Sequence, residues 1–352
     1  MDSKSKQFLE DLLTAASPSG YESPAQRVWV DYVSQFADEV TTDAYGNAIA
    51  VLNPGAKTRV LLDGHIDEIG MIVKHISKEG YVYVQRNGGV DVCQVPAKRV
   101  NIHTKNGIVR GVCGATAVHL QEKDAKDKAP KWHDVYVDLG VKDDEEAKAL
   151  VAVGDFITFS DGFEMLNENI AVSRALDDRI GCWLAAEALR KIKESGQTLN
   201  CSLHVCSTIQ EETGCNGAQM TVAQVKPHCA IAVEVTHATD VPGINPNQHG
   251  LVKLGEGPTV SIGREHHPVV VRRLRDLAEA NDIAHQIETF SLSGGTNAIK
   301  MWTANGGTPC ALISLPTRYM HSTVEMMDMR DITKSIDWLA AFALDIKDGE
   351  RF

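Results

Sequence analysis

Five short stretches of the chain place chemically competent side chains directly after apolar runs. In Gly64-His65-Ile66-Asp67-Glu68, which follows Val60–Leu62, an imidazole and a carboxylate two positions apart fall on one side of an extended chain, where the acid can orient the ring or share its metal. H-x-D triplets are also common by chance. In Ala175-Leu176-Asp177-Asp178-Arg179 two adjacent acids and an arginine sit at a strand-to-helix junction. Helix capping accounts for one aspartate, with Arg179 neutralising the pair, and leaves the other acid without a task. Gln210-Glu211-Glu212-Thr213-Gly214 puts two glutamates at a strand end, which is costly if they are buried unless a cation or an altered protonation state offsets their repulsion. A solvated loop would remove that cost. Glu234 stands inside the apolar run Ala230–Val235, where a carboxylate needs a partner. His321, in Arg318-Tyr319-Met320-His321-Ser322, follows the apolar run Ala311–Leu315, and a lone histidine there is more often packed at a core or rim than bound to a metal.

Taken as a set, these residues read differently. His65, an aspartate of the 177–178 pair, Glu212, Glu234 and His321 compose a nitrogen-and-oxygen ligand set for two divalent ions, zinc or cobalt by donor type. One carboxylate has to bridge the ions with a hydroxide between them. Glu211, beside a ligand yet free to swing toward that water, is the expected general base. The eight cysteines contain no C-x-x-C pair and several lie in apolar runs, which predicts buried free thiols in a reducing compartment and no structural zinc cluster. Neither a G-x-S-x-G serine elbow nor a G-x-x-x-x-G-K-[ST] phosphate loop occurs.

Open α/β sheets bind ligands at the carboxyl ends of their strands, so this set requires a sheet whose strands end together. The pattern predicts one. A first amphipathic helix carries Leu9, Leu12 and Leu13 and ends at Ser17-Pro18-Ser19-Gly20. A second begins with Ser23 as N-cap and Pro24 in its first turn, followed by strands around Glu39–Thr42, Asn47–Leu52 and Arg59–Asp63. From about Ile69 to about Glu164 the chain turns to short β-branched runs (Met71–His75, Tyr81–Gln85, Arg99–His103, Ile108–Cys113, Asp134–Asp138, Phe156–Phe159) punctuated by glycine and Lys-Asp turns, with one helix near Asp143–Leu150. Beyond it helices are expected over Asp178–Glu194, His267–Asn281, Thr296–Asn305 and Asp331–Ile346, and strands over Ser202–Thr208, Cys229–Val235, Ala284–Phe290 and Ala311–Leu315. The fold class is therefore α/β: a central mixed sheet sandwiched by helices, built from residues 1–68 and 165–352, with an all-β, barrel-like domain inserted over 69–164. A length of 352 residues suits this, since a single domain averages about 150. The formal charge of −12 argues against nucleic acid as a partner, and no stretch approaches the roughly 18 uninterrupted apolar residues of a membrane span. A cytoplasmic location is expected.

The ordered set H-x-D, D-D-R-x-G, E-E-x-G, an acid before Val-Thr, Gly294-Gly295-Thr296-Asn297-Ala298 and Arg318-Tyr319-Met320-His321-Ser322 resembles the M42 metallo-aminopeptidases, which include TET, glutamyl and deblocking aminopeptidases and members named endoglucanases. The likeness covers essentially the whole chain, including Ser17-Pro18-Ser19-Gly20-Tyr21-Glu22. It implies a phosphorylase/hydrolase-like dinuclear zinc peptidase that removes N-terminal residues from short peptides. By this resemblance His65 and Glu234 hold metal, Asp177 bridges the two ions, Glu212 and His321 complete the shell, Asp67 orients His65, and Glu211 is the base. It further implies a cis peptide at Asp177-Asp178, a dimerisation role for the β insertion, and dimers that assemble into tetrahedral dodecamers enclosing the active sites.

Three positions depart from that family pattern. Glu234 stands where Asp is usual, and in related enzymes Glu there accompanies carboxypeptidase or deacylase activity; Asn297 and Thr323 replace a common Asp and Pro. A metal-dependent carboxypeptidase or N-deacylase is thus the first rival reading. A glycosidase using Glu211 and Glu212 is a poorer one, because adjacent residues hardly span the roughly 5 Å or more between the carboxyls flanking a glycosidic bond. A non-catalytic scaffold would be expected to lack one of the seven site residues, and none is missing. Arg264-Glu265-His266-His267 reads as a solvated helix N-terminus in preference to a substrate loop, and His119 as an interface or core histidine in preference to one reaching a neighbouring subunit's site.

Overall fold

The computed structural model describes residues 1–121, 128–291 and 294–352; the Lys-Asp pairs at 123–124 and 126–127 lie outside them. Helix Ser3–Thr14 starts where the Asp2 carboxylate accepts the Ser5 amide at 2.8 Å, and buries Phe8, Leu9, Leu12 and Leu13 on the side packed against helices Ser23–Val33 and Leu176–Ser195. In helix Ser23–Val33 the expected cap is displaced by one residue. Glu22 already has helical backbone angles, and its carboxylate accepts the Gly20 amide at 2.7 Å.

Eleven strands form one mixed sheet. Its order runs Glu39–Thr42, Ala48–Leu52, Ser202–Thr208, Arg59–His65, Cys229–His237, Cys310–Arg318, Glu325–Asp328, Ile170–Ser173, Glu164–Met165, with Thr259–Gly263 also pairing Cys310–Arg318 and carrying Gln286–Phe290 on its far side. The four central strands, Ser202–Thr208 through Cys310–Arg318, are mutually parallel, in a register that sets Thr208 opposite His65 and Glu234 opposite Ser314. Parallel strands covered on both faces need continuous apolar runs, which is what Val60–Leu62, Ala230–Val233 and Ala311–Ile313 supply.

Helix Leu176–Ser195 packs on strands Arg59–His65 and Cys229–His237. Two glycines allow the approach. A Cβ on Gly64 would lie 2.4 Å from the Cys182 amide nitrogen, and one on Gly181 would lie 2.2 Å from the Val233 carbonyl. The head of this helix is irregular: Asp177 and Asp178 have non-helical backbone angles and the peptide between them is cis.

Between Gly70 and Phe159 six antiparallel strands close into a barrel, around a core of Met71, Val82, Val100, Ile102, Val137 and Ile157. Helix Asp144–Leu150 lies beside it, capped by Asp143. Several elements go beyond the sequence expectation. Helix Asn216–Val225 follows Cys215, a left-handed residue with no capping side chain, so the usual start signal is missing. Strands Thr259–Gly263, Ile170–Ser173 and Glu325–Asp328 are four or five residues long, too short for periodicity to register. The expected helix Thr296–Asn305 is reduced to Ala298–Met301 and a 3₁₀ turn, because Asn305, Gly306 and Gly307 all take positive φ. All eight cysteines are free and only Cys93 is exposed. Among the described residues no helix is long and apolar enough to cross a membrane.

Candidate metal centre and active site

The four parallel strands end on one edge of the sheet, and the predicted residues meet there. His65 closes its strand, Glu211 and Glu212 follow Thr208, Glu234 lies near the end of its strand, and His321 comes just past Arg318. Asp177 arrives from the irregular head of the long helix. These six residues line one cleft of about 730 Å³, and Asp67 sits behind His65.

Asp177 faces both imidazoles. Its Oδ1 is 3.2 Å from His65 Nε2 and its Oδ2 is 3.3 Å from His321 Nε2. Around His65 Nε2 stand Glu234 Oε2 at 3.7 Å and Glu211 Oε2 at 3.8 Å; Glu212 Oε1 is 3.4 Å from His321 Nε2. Each ring is turned by its other nitrogen: His65 Nδ1 donates to the Asp67 carbonyl at 3.2 Å, and His321 Nδ1 to the Gly89 carbonyl at 3.2 Å. A carbonyl only accepts, so Nδ1 carries a hydrogen and Nε2 is the atom turned toward the acids, the one able to ligate a metal once it gives up its proton. Two trios, His65–Asp178–Glu234 and Asp177–Glu212–His321, gather ligand atoms within 4.8 Å of one another. In the first trio Asp178 is already engaged, its oxygens accepting the His65 and Gly181 amides at 3.1 Å each. Asp177 Oδ1 is the available aspartate oxygen beside His65.

The electrostatics fit a cation. Burial pushes the Glu234 and Asp178 carboxyls well above the usual range, and Glu211 up to about 7. Glu212 is likewise raised by burial. Hydrogen bonds to Asp177 and Glu212 lift His321 to about 11. Burial disfavours a charged His65, but its bonds to Asp177 and Asp67 and the nearby glutamates outweigh this and hold it well above its ordinary value. Asp177 stays below the usual carboxylate range despite burial, through its bonds to the two histidines. Carboxylate oxygens facing a buried imidazole nitrogen at 3.2–3.8 Å need positive charge between them. Imidazole nitrogen plus carboxylate oxygen suits a borderline divalent ion such as zinc or cobalt.

Asp67 does more than orient His65. Its Oδ1 accepts the Glu211 amide at 2.9 Å, and its Oδ2 accepts the Glu212 amide at 3.2 Å and the Ser19 hydroxyl at 2.6 Å. Arg179 does not neutralise the aspartate pair, a correction to the sequence reading. It turns away to the Leu12 and Leu13 carbonyls, the Ser17 hydroxyl and Glu68, which Arg174 also pairs. Among the described residues no arginine pairs with Asp177, Asp178, Glu211, Glu212 or Glu234. Asn297, where the family pattern has Asp, donates its backbone amide to Glu234 Oε1 at 2.9 Å and its side chain to Asp63 at 2.7 Å. Burial pushes Asp63 up to about 7. Thr323 accepts a hydrogen bond from Lys98 of the barrel segment.

Sequence reasoning missed Glu325. It is 1% exposed, and its two oxygens accept the Asp177 amide at 3.0 Å and the His321 amide at 2.9 Å. Burial pushes its carboxyl well above the usual range. Its signal was the one that exposed Glu234: an acid flanked by apolar residues. The barrel side also reaches the site, since a Cβ on Gly89 would lie 2.5 Å from His321 Nδ1 and one on Gly88 would lie 3.2 Å from the Glu212 Cβ. Gln210, Cys215, Tyr319 and His321 all hold positive φ, a clustering of backbone strain around the cleft. Of the Arg264–His267 run, Glu265 and His266 are buried, against the expectation of a solvated run. Glu265 lies beside Gly294, and the His266 ring lies near that of Phe290. His119 is exposed in a 3₁₀ turn and does not line the cleft.

The model of the M42 glutamyl aminopeptidase family matches residues 46–338. The chain belongs to the M42 peptidase family. It is a metal-dependent aminopeptidase by that membership. Its M42 relatives include the lysyl aminopeptidase of Pyrococcus furiosus, 32% identical over 347 residues and covered, like this chain, to 97%. The TET aminopeptidase of the marine sediment archaeon Thaumarchaeota archaeon SCGC AB-539-E09 superposes with a TM-score of 0.94 at 32% identity, covering 98% of this chain and 97% of that one. The Pyrococcus horikoshii TET1 peptidase, described as able to assemble into a tetrahedron or a large octahedral shell, gives 0.86 at 29% identity, covering 97% of this chain and 100% of its own. The M42 fold places the mixed sheet and the closed barrel together, as the sequence pattern predicts.

Proposed function

We propose that this M42 peptidase is a dinuclear enzyme that releases N-terminal residues from short peptides. The observation that carries this is Asp177, a single carboxylate facing two imidazoles, with Glu234 beside one and Glu212 beside the other. His65, Asp177 and Glu234 would hold one divalent ion and Asp177, Glu212 and His321 a second, zinc or cobalt by donor type. Bound there, such ions polarise a scissile carbonyl and acidify water.

The chain's own residues do the rest. Glu211 Oε2 points into the cleft while Oε1 accepts the Cys215 thiol at 3.0 Å, so one oxygen is fixed and the other is free to take a proton from water and return it to the leaving amine. Asp67 ties the amides of Glu211 and Glu212 to the ring of His65. Asn297 and Glu325 orient Glu234, Asp177 and His321 from behind. The aminopeptidase reading is favoured over a carboxypeptidase or deacylase by the relatives, and peptides blocked at either end discriminate the three. We assign the catalytic domain to 1–68 and 165–352 and the inserted domain to 69–164. Exposed Ile108, Val112, Val118 and Leu120 support a dimerisation surface on the insertion. Assembly of dimers into a dodecamer, and a cytoplasmic location, complete the proposal.

The deciding experiment is Glu211→Gln in the metal-loaded protein. Loss of a general base lowers kcat by roughly 10²–10⁴, and metal analysis should still return two ions per chain. Retained turnover with lost metal would overturn the assignment.

A further inference from the structure

One carboxylate in the cleft is neither a proposed metal ligand nor the proposed base. Glu288, half-buried on strand Gln286–Phe290, lines the same cavity as His65 and Glu234. Its Oε1 accepts the Thr236 hydroxyl and its Oε2 the Thr259 hydroxyl at 3.3 Å. Thr236 lies two residues after Glu234 on one strand, so both side chains leave the same face, roughly 6.6 Å apart along it. Glu288 is thus held one side chain's reach from the metal ligands. Among the described residues no Lys, Arg or His nitrogen lies within 4.0 Å of it. Burial pushes its carboxyl above the usual range, and the two hydroxyls offset this only in part.

The surroundings say what would complete it. Phe290, Ile299, Leu312 and Met320 line the same cleft and offer apolar surface. An aliphatic stem ending in a cation fits such a pocket, the stem against the apolar walls and the charge on the acid. Lys300 also lines the cleft, half-buried on the short helix Ala298–Met301, but it makes no ion pair with Glu288. Its flexible chain contrasts with a carboxylate pinned by two hydroxyls, so the pre-organised charge in the cleft is negative.

We propose that Glu288 selects peptides whose first residue is lysine or arginine, by pairing with the side-chain cation. This rests on the aminopeptidase reading. A peptide's N-terminus carries a second cation, the α-ammonium, and the test separates the two. The metal-loaded full chain and its Glu288→Gln variant are assayed for kcat/KM on aminoacyl-coumarin amides of lysine, arginine, norleucine, leucine and glutamate. Norleucine keeps the stem of lysine without its charge. We expect the native protein to favour lysine over norleucine by about tenfold or more, and the variant to bring that ratio close to one. A ratio within each protein is independent of the fraction folded. A native ratio near one with leucine hydrolysed would overturn this inference and leave the aminopeptidase reading standing. A uniform fall on every substrate, with the lysine preference kept, would place Glu288 on the α-ammonium and also overturn it. A preference for glutamate would assign the pocket to Lys300, against the proposal. No hydrolysis of any aminoacyl substrate would bring down the aminopeptidase reading itself, and this inference with it.

Discussion

Replacing Glu325 by glutamine keeps its shape and removes one of the two acceptors that fix the backbone of Asp177 and His321. In the native protein each carboxylate oxygen accepts one of these amides, at 3.0 and 2.9 Å, in a site only 1% exposed. The glutamine oxygen can serve one amide, which sets the side-chain NH2 against the other, donor to donor. A buried amide left without an acceptor costs about 1–3 kcal/mol. His321 also sits at φ 60, a conformation that needs surrounding structure to hold it. If about 2 kcal/mol of this appears as disorder in the ligands, affinity at the Asp177–Glu212–His321 position falls roughly 30-fold, within the usual range for a residue supporting a metal ligand. The His65–Glu234 position should weaken less, because it shares only Asp177 with the disturbed segment, while Asp67 orients His65 and Asn297 orients Glu234. Calorimetric titration of the metal-free protein with zinc or cobalt, with circular dichroism to check the fold, reads both positions. Equal weakening of the two, no weakening of either, or a single class of site in the native protein would refute the reasoning.

Cys215→Ala removes the donor on Glu211 Oε1; kcat should fall roughly three- to tenfold, in line with about 1 kcal/mol for one hydrogen bond, with Cys215→Ser restoring most of it. Equal losses in both variants would show that the thiol only packs. Glu68→Gln leaves Arg174 and Arg179 buried without their acid, and urea unfolding at pH 7 should report a loss of about 3–5 kcal/mol. Burial acts to raise the Glu68 carboxyl, but the two arginines overcome it and hold its value below 4.5, so its stabilisation is present above that pH and lost as pH falls through the depressed value. The gap between native and variant should narrow in acid, and a gap constant from neutral to strongly acidic pH would contradict this. Gly89→Ala puts a methyl 2.5 Å from His321 Nδ1, so it should cost one of the two proposed ions while leaving the native circular dichroism intact; two ions retained would show that the ring can yield.

The parts of the site that could be read from the sequence share one property: each is an acid or imidazole within or just after an apolar run, so burial alone raises the question of a partner. Glu234 inside Ala230–Val235 is the clearest case, and burial of the glutamate pair at 211–212 answers to the same logic. What could not be read is direction. Arg179 follows two aspartates and on composition alone should neutralise them, yet its side chain runs to Glu68 and the carbonyls of Leu12 and Leu13. Adjacent residues on a helix point about 100° apart, and the cis peptide leaves Asp177 in a conformation outside the helix altogether. The bonds of Glu325 to Asp177 and of Ser19 to Asp67 span 148 and 48 positions, which no local pattern encodes. The proposed bridge depends on such distances. Asp177 can face His65 and His321 together only because Gly64 and Gly181 let the long helix settle onto the sheet, and because Glu325 holds the His321 segment to the Asp177 amide. The proposed ligands are therefore legible as chemistry one by one, while their convergence is a property of helix-to-sheet contact and strand register. Substitutions that alter those contacts without touching a ligand, at Gly89 or Glu325, are consequently the sharper test of the two-ion reading.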